Sequence, residues 1–106
     1  MNKMKVKVLE GGFLPTKAYE GDMGYDLYSP SNYFLYDSSL IEIDCKIQIE
    51  LPDGYGFYIR PRGGLGRKGV NVYAGVVDGL YRGNVLVLLR KSRSVGDTPN
   101  YINRMF

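Results

Sequence analysis

Hydrophobic and polar residues alternate along most of the chain, and this period of two predicts β-strands. The strongest runs are rich in Ile and Val, which favour the pleated surface of a sheet. Clusters of Gly, Pro, Asn and Asp separate the runs and predict tight turns. No segment keeps a helical period over three turns. The predicted strands are residues 5–9, 40–44, 46–51, 56–59 and 84–89, and the predicted turns are residues 11–12, 29–32, 52–54 and 63–64.

This pattern predicts an all-β fold, an antiparallel β-barrel or jelly roll. The chain has 106 residues, of which 44% are hydrophobic, and this size and composition suit one modest core. We therefore expect a single domain over residues 1–106. The sequence from about residue 91 is polar, cationic and weakly patterned, so we expect an atypical tail there.

The residue types that are absent restrict the chemistry. The chain contains no histidine, which removes Ser-His, Cys-His and His-zinc sites. Its single cysteine, Cys45, cannot form a disulfide within the chain and gives no metal-ligand pattern. Any catalysis must therefore depend on carboxylates.

The net charge of +3 is a mild surplus, and much of it lies in Arg60–Lys68 and Arg82–Arg93. Such a surplus suits the phosphates of a mononucleotide as well as a polymer, so it does not imply nucleic-acid binding. The first residues alternate charge with Met and Val and lack the apolar stretch of a signal peptide. No run approaches membrane-spanning length. We expect a cytoplasmic protein without a membrane partner.

The stretch RPRGGLGRKG, residues 60–69, combines four glycines with four cations. Closely spaced glycines let backbone N–H groups approach a ligand, and the cations supply charge, so phosphate is the first candidate. A sharp, solvated turn is the alternative, because short Gly/Arg-rich stretches are common in loops. By itself the stretch leaves both interpretations open.

Three stretches, in the right order and at similar spacing, resemble the motifs of the trimeric dUTPases. Leu14–Ser29 resembles the first motif, Pro61–Gly69 the second and Ala74–Val85 the third. Asp44–Gly54 resembles the strand and turn that precede the second motif, and the match extends from about Leu14 to Leu89. The resemblance implies a dUTPase-like jelly roll. It also implies a homotrimer or another small oligomer, since the family builds its sites between subunits.

The third motif implies roles in catalysis and in recognition of the base and sugar. Asp78 matches the carboxylate that activates the attacking water, and Tyr81 matches the aromatic residue that packs under deoxyribose and excludes a 2′-hydroxyl. Gly75, Val76 and Val77 fall in the segment that forms the uracil pocket. Without the motif, Asp78 would be a hairpin aspartate and Tyr81 an ordinary strand tyrosine.

The other two motifs imply phosphate and metal contacts. Arg62, with the N–H groups of Gly63 and Gly64, matches the phosphate-binding second motif. Asp26 matches an aspartate near the Mg²⁺ that bridges the triphosphate. A carboxylate in that position holds the ion through water. The alternative for Asp26 is a strand-end carboxylate bonded to backbone. Further basic candidates for phosphate binding are Arg67, Lys68 and Arg82.

The chain departs from the family pattern at several positions. Gly63 stands where the second motif has a serine that holds the phosphate bridge, and Gly79-Leu80 replaces an acidic pair. Gly96–Ile102 resembles a remnant of the fourth motif, and nothing resembles the glycine-rich fifth motif that closes over the triphosphate. These departures predict weak exclusion of water and a weak grip on the transition state.

Two functions from different classes follow. The departures favour a reduced, non-catalytic or weakly catalytic binder that sequesters or senses a deoxyuridine nucleotide or a related signalling nucleotide, as a phage-encoded decoy in a host cell would. The alternative is an active minimal dUTPase that converts dUTP to dUMP and pyrophosphate. A protein-interaction module is a third interpretation. The related dCTP deaminases are set aside because residues 85–89 contain no glutamate to act as their base.

Overall fold

The computed structural model describes residues 3–36, 38–92 and 100–102. Within these residues the chain forms mostly strands and one short helix. Their bounds are β1 Lys5–Val8, β2 Tyr33–Leu35, β3 Leu40–Glu50, β4 Phe57–Tyr58, α1 Gly63–Arg67, β5 Val70–Tyr73, β6 Val76–Val77, β7 Asn84–Lys91 and β8 Asn100–Ile102.

The strands form one main sheet and two small ones. The main sheet has the order β1-β3-β7-β5, and each neighbouring pair is antiparallel. The small sheets pair β2 with β8 and β4 with β6, again antiparallel. The predicted antiparallel all-β class is confirmed. In the part of the chain that the structure describes, no helix has the length and apolarity needed to cross a membrane.

The core lies on one face of β3 and β7. Ile43 is the register partner of Val87, and both are fully buried. Along β3 the buried and less buried positions alternate, as the sequence pattern predicted. Burying each of these branched side chains contributes about 1.5–3 kcal/mol before entropy is subtracted. The buried hydrophobic residues are Leu27, Leu35, Ile43, Cys45, Ile47, Ile49, Ile59, Val70, Val85, Val87 and Leu89.

The two strands predicted at residues 40–44 and 46–51 form the single strand β3, which contains a bulge. The register moves from Asp44 to Gln48 on β3 while β7 moves only from Leu86 to Asn84. Within the bulge Lys46 has a φ of 58°, a left-handed conformation that non-glycine residues seldom adopt. The Lys46 carbonyl accepts a hydrogen bond from the Leu9 N–H at 2.8 Å. The backbone of the bulge is therefore hydrogen-bonded to the loop that follows β1.

Four short strands, β2, β5, β6 and β8, were not predicted. Strands of two to four residues are too short to show a period, and their partners far along the chain define them. β8 lies in the expected tail and pairs with β2. Residues 96–99 of the suggested fourth-motif remnant lie outside the described residues.

The turn predicted at Gly63-Gly64 is the start of α1. The Gly66 N–H donates to the Arg62 carbonyl at 2.8 Å, and the Lys68 and Gly69 N–H groups close the end of the helix. Leu65 packs against the core, so one apolar contact anchors the glycine-rich segment. The spacing of the glycines alone could not predict this short helix.

Glycines allow the β4–β6 pair to pack tightly. The Ile59 N–H donates to the Gly75 carbonyl at 2.7 Å, which extends the pairing of β4 with β6. A Cβ built at Gly75 would lie 2.6 Å from the Ile59 carbonyl oxygen, and one at Gly79 would overlap the Tyr55 carbonyl oxygen. The loop before β4 and the turn after β6 therefore cross at backbone contact distance.

Polar side chains satisfy one another at the β3 bulge. The Asp44 carboxylate accepts the Lys46 N–H at 2.9 Å and the Asn84 amide at 3.1 and 3.2 Å. The side-chain oxygen of Asn84 in turn accepts from the Gln48 side-chain amide at 2.9 Å. The hydrogen bond from the Lys46 N–H is the main reason that the pKa of Asp44 lies below its ordinary value.

The lowered pKa of Asp44 makes part of the stability depend on pH. The folded state holds the ionised form more strongly than the unfolded state does, so this stabilisation is present above the unfolded pKa. It is lost as the pH falls below about 4, towards the folded pKa. In urea unfolding at pH 7 and pH 3, we expect Asp44→Asn to lose less free energy of unfolding on acidification than the unmodified chain. Equal losses would contradict the assignment.

The close crossing at Gly79 gives a second expectation. Gly79→Ala should lower the free energy of unfolding by about 1–3 kcal/mol, because the added methyl group meets the Tyr55 carbonyl oxygen. Gly66→Ala is the matched control, since its Cβ would only touch Pro61 at 3.9 Å and alanine favours the helix by about 0.5–1 kcal/mol. Chemical denaturation measures both changes. A Gly79→Ala variant as stable as the control would contradict this packing.

Candidate functional site

An open groove of about 890 Å³ lies along the β4–β6 pair. One wall is the segment that contains Asp78 together with Val76 and Val77, which the third motif had indicated. The other wall, residues 52–58, was not predicted as part of a site. Its only sequence signal is the turn Pro52-Asp53-Gly54 before a short strand. The lining residues are Pro52, Asp53, Gly54, Tyr55, Gly56, Phe57, Tyr58, Val76, Val77, Asp78, Gly79 and Leu80.

Asp78 begins a turn that is closed by the Tyr81 N–H, which donates to the Asp78 carbonyl at 3.1 Å. The side chain of Asp78 is exposed, and no other described residue bonds to its carboxylate. An exposed carboxylate at the rim of a groove can accept a proton from a water molecule. The hairpin position and the catalytic role are therefore compatible.

Tyr81 is held at the hydroxyl end of its ring. Its hydroxyl donates to the Asn84 carbonyl at 2.6 Å. The ring lies against Gly83, where an added Cβ would come within 2.6 Å of the Tyr81 hydroxyl oxygen. Because the residue is still 43% exposed, its ring presents a fixed aromatic surface next to the turn. Such a surface can pack against an apolar sugar face.

The second-motif residues surround α1. Arg62 directly precedes the helix in an extended conformation, with φ −62° and ψ 151°. A Cβ at either Gly63 or Gly64 would meet no atom within 4 Å, so the backbone here is open to a ligand. Arg67 and Lys68 are exposed at the end of the helix. Within the described residues, the ion pairs of the structure involve none of these three cations.

Arg82 differs from the other basic candidates because its guanidinium already has partners. It donates to the carbonyls of Gly79 and Tyr81, and it lies near the carboxylate of Glu50. The structure therefore attaches Arg82 to the third-motif turn.

Asp26 is positioned by a short antiparallel bridge to Thr16. The Asp26 N–H donates to the Thr16 carbonyl at 2.6 Å, and the Thr16 N–H donates back at 3.3 Å. The Thr16 hydroxyl shares a hydrogen bond with the Tyr28 hydroxyl at 2.5 Å. These contacts fix the backbone and leave the Asp26 carboxylate without a bonded partner among the described residues.

A metal would need ligands beyond the protein. Among the residues that the structure describes, no three His, Cys, Asp or Glu side chains come together as a metal site. A Mg²⁺ that keeps several waters and takes the rest of its ligands from substrate phosphates fits one carboxylate such as Asp26. The donor set therefore fits a water-mediated Mg²⁺ and does not fit an all-protein cage.

Cys45 takes no part in this surface. Its side chain is buried between the strands, and burial raises the pKa of its thiol to about 12. The thiol therefore stays protonated and is a poor nucleophile.

The single chain brings together only part of the expected site. Val76, Val77 and Asp78 share the groove with residues 52–58. Tyr81 joins them through the turn, whereas Arg62 and Asp26 do not line the groove. The phosphate and metal candidates are thus separate from the base and sugar candidates in one copy of the chain.

Comparison with known proteins connects these features. The family model described as dUTPase matches residues 12–95. The deoxyuridine 5′-triphosphate nucleotidohydrolase of Tropheryma whipplei (strain Twist) is 39% identical over 90 residues. That alignment covers 81% of this chain and 62% of the relative, so the chain spans less than two thirds of the relative's length.

Two solved structures share the fold. A point mutant of the dUTPase from phage phi11 of S. aureus, described with a structural Mg(II) ion, has a TM-score of 0.77 and 25% identity. The alignment covers 85% of this chain and 60% of that one. A point mutant of the dUTPase of Staphylococcus bacteriophage 80alpha, solved with dUpNHpp, has a TM-score of 0.81 and 19% identity, with coverage of 97% and 72%. The fold is the jelly roll of these structures, and the chain belongs to the dUTPase family.

Proposed function

We propose that this chain carries the deoxyuridine-nucleotide site of a dUTP diphosphatase, which hydrolyses dUTP to dUMP and pyrophosphate. The observation that carries the proposal is the exposed carboxylate of Asp78 at the rim of the groove, on the turn that ends at Tyr81. The relatives that are named nucleotidohydrolases favour this activity. They give no support to the non-catalytic decoy that the sequence departures favoured.

Each candidate residue has a distinct task in this proposal. The groove beside Val76 and Val77 accepts the base, and backbone groups along this wall would offer hydrogen bonds to its edge. The fixed ring of Tyr81 packs under the deoxyribose and leaves no room for a 2′-hydroxyl. This arrangement would separate deoxyribonucleotides from ribonucleotides by steric exclusion.

Phosphate binding falls to the segment around α1. Arg62 supplies charge-assisted hydrogen bonds, and the open backbone at Gly63 and Gly64 allows the phosphates to approach closely. Arg67 and Lys68 add positive potential near them. A Mg²⁺ ion held in this region would supply positive charge to the phosphates. Asp26 would hold its water ligands.

Asp78 performs the proton transfer. Its carboxylate accepts a proton from a water molecule as the water oxygen bonds to the α-phosphorus. The bond from that phosphorus to the bridging oxygen breaks, and pyrophosphate leaves with the electron pair. The exposed position of Asp78 leaves room for this water molecule.

The site is expected to be shared between copies of the chain. Arg62 and Asp26 lie outside the groove that contains Asp78, so one copy does not assemble all the candidates in one pocket. Apolar side chains beside the groove are exposed, among them Tyr58 at 74%, Val76 at 65% and Leu80 at 87%. Exposed apolar patches of this kind mark subunit contacts. A homotrimer accounts for both observations.

Loss of the Asp78 carboxylate should separate turnover from binding. In a pyrophosphate-release assay with dUTP and Mg²⁺, we expect Asp78→Asn to lower kcat by about 100-fold or more. Affinity for dUMP, measured by calorimetry, should change by less than about threefold. Glu10→Gln, an exposed carboxylate in the turn after β1, is the control and should leave both values unchanged. Tight dUTP binding without pyrophosphate release by the unmodified chain would favour the sequestering binder.

The glycine at position 63 gives a test in the opposite direction. Gly63→Ser restores the hydroxyl of the family motif, and its Cβ meets no atom within 4 Å. Kcat for dUTP should rise by about 10–100-fold, because a hydrogen bond to a charged group formed in the transition state is worth about 1.5–3 kcal/mol. Gly66→Ser places a hydroxyl on the same helix at a position where the family motif has no serine and should give no increase. An equal rise of kcat in both variants, or no rise in Gly63→Ser, would contradict the expectation that the missing hydroxyl at position 63 limits turnover.

A further inference from the structure

We infer that Arg82 is a positioning residue for the turn Asp78–Tyr81 and that it is not a phosphate ligand. Its sequence neighbourhood, rich in cations, had placed it with the phosphate candidates Arg67 and Lys68. The inference rests on the proposed function, because it assigns how the groove's catalytic turn is held. It concerns a contact within one copy of the chain.

The guanidinium of Arg82 bonds to two carbonyls of the turn itself. Its Nη1 donates to the Gly79 carbonyl oxygen at 2.5 Å and to the Tyr81 carbonyl oxygen at 3.2 Å. Gly79 directly follows Asp78, so the first contact holds the backbone next to the carboxylate. The second holds the backbone of the sugar-binding candidate. One side chain thereby fixes the distance between the two functional residues.

The same guanidinium connects the turn to the main sheet. Its Nε lies 3.7 Å from the Glu50 carboxylate at the end of β3. Glu50 is also 4.0 Å from the Lys5 ammonium group on β1. Glu50 thus orients Arg82 from a strand that packs into the core, while the turn beyond it is exposed.

In the turn, Arg82 supplies the side-chain hydrogen bonds to the Gly79 and Tyr81 carbonyls. Leu80 is 87% exposed, and the Asp78 side chain faces solvent. Within the described residues, the turn is otherwise held by the Asp78–Tyr81 backbone hydrogen bond, by the Tyr81 hydroxyl on the Asn84 backbone carbonyl and by the close packing of Gly79 on the Tyr55 backbone. Removing Arg82 would therefore leave the Gly79 and Tyr81 carbonyls without their side-chain donor, beside the carboxylate of Asp78 that must meet its water molecule.

A positioning role and a phosphate role make different demands on the side chain. A phosphate ligand needs positive charge, which lysine also supplies as a point charge. Holding two carbonyls and a carboxylate together needs the rigid, planar set of donors that only arginine has. Arg82→Lys therefore separates the two roles, and Arg82→Met removes both charge and donors.

The first test compares two probes, dUMP and the analogue dUpNHpp, by calorimetry. Positioning predicts that Arg82→Lys and Arg82→Met each weaken both probes by a similar factor, about 10-fold. Glu50→Gln should weaken both probes in the same direction by a smaller factor. Lys5→Met is the matched control, because Lys5 shares Glu50 but does not touch the turn, and it should leave both affinities unchanged. A loss confined to dUpNHpp and rescued by Arg82→Lys would overturn the inference.

The second test uses the nucleotide-free chain, so that it does not depend on the proposed function. In ¹⁵N–¹H spectra, Arg82→Met should shift the amide signals of Gly79, Leu80 and Tyr81 while that of Val87 in the core stays in place. Turn signals that do not move would overturn the inference. If the unmodified chain binds neither probe, the proposed function fails, and these spectra still decide the role of Arg82.

Discussion

The pairing of β3 with β7 is the constraint on which the rest of the structure depends. These two strands provide most of the core, with Ile43 opposite Val87, and they are the central strands of the main sheet. Their ends also define the site. β3 ends at Glu50, whose carboxylate lies 3.7 Å from the Arg82 guanidinium, and β7 begins at Asn84, whose backbone carbonyl accepts a hydrogen bond from the Tyr81 hydroxyl. The packing that stabilises the fold therefore also places the turn that carries Asp78 and Tyr81.

The long strands could be predicted from the sequence because each carries a hydrophobic pattern of its own. β3 alternates apolar and polar residues on both sides of its bulge, and β7 is a continuous apolar run, Val85–Leu89, bounded by polar residues. β6 has two residues, and its pairing with the predicted strand β4 depends on a glycine crossing between distant segments. Short strands of this kind are defined by tertiary contacts, which no local pattern contains.

The residues of the candidate site could likewise be predicted only in part from the sequence. Asp78 and Tyr81 were found through the motif, since their residue types and spacing carry the resemblance. Tyr55 and Tyr58 on the opposite wall were not found, because residues 52–58 reach the groove only through the β4–β6 pairing. The positive charge of Arg82 suggested phosphate, but the nearest polar atoms are backbone carbonyls and a carboxylate. Charge can be read from sequence, whereas the partner of a charge depends on the fold.

The burial of Cys45 also determines how readily its thiol reacts with oxidants. This thiol is 1% exposed beneath the bulge of β3, and its raised pKa leaves almost no thiolate at neutral pH. Because peroxides and disulfides react with the thiolate, the native chain resists sulfenic acid formation and mixed disulfides. The newly synthesised chain, before β3 pairs with β7, has no such protection. Oxidation of Cys45 would therefore occur in molecules that have not yet folded. Burial of the thiol on folding protects it from oxidants.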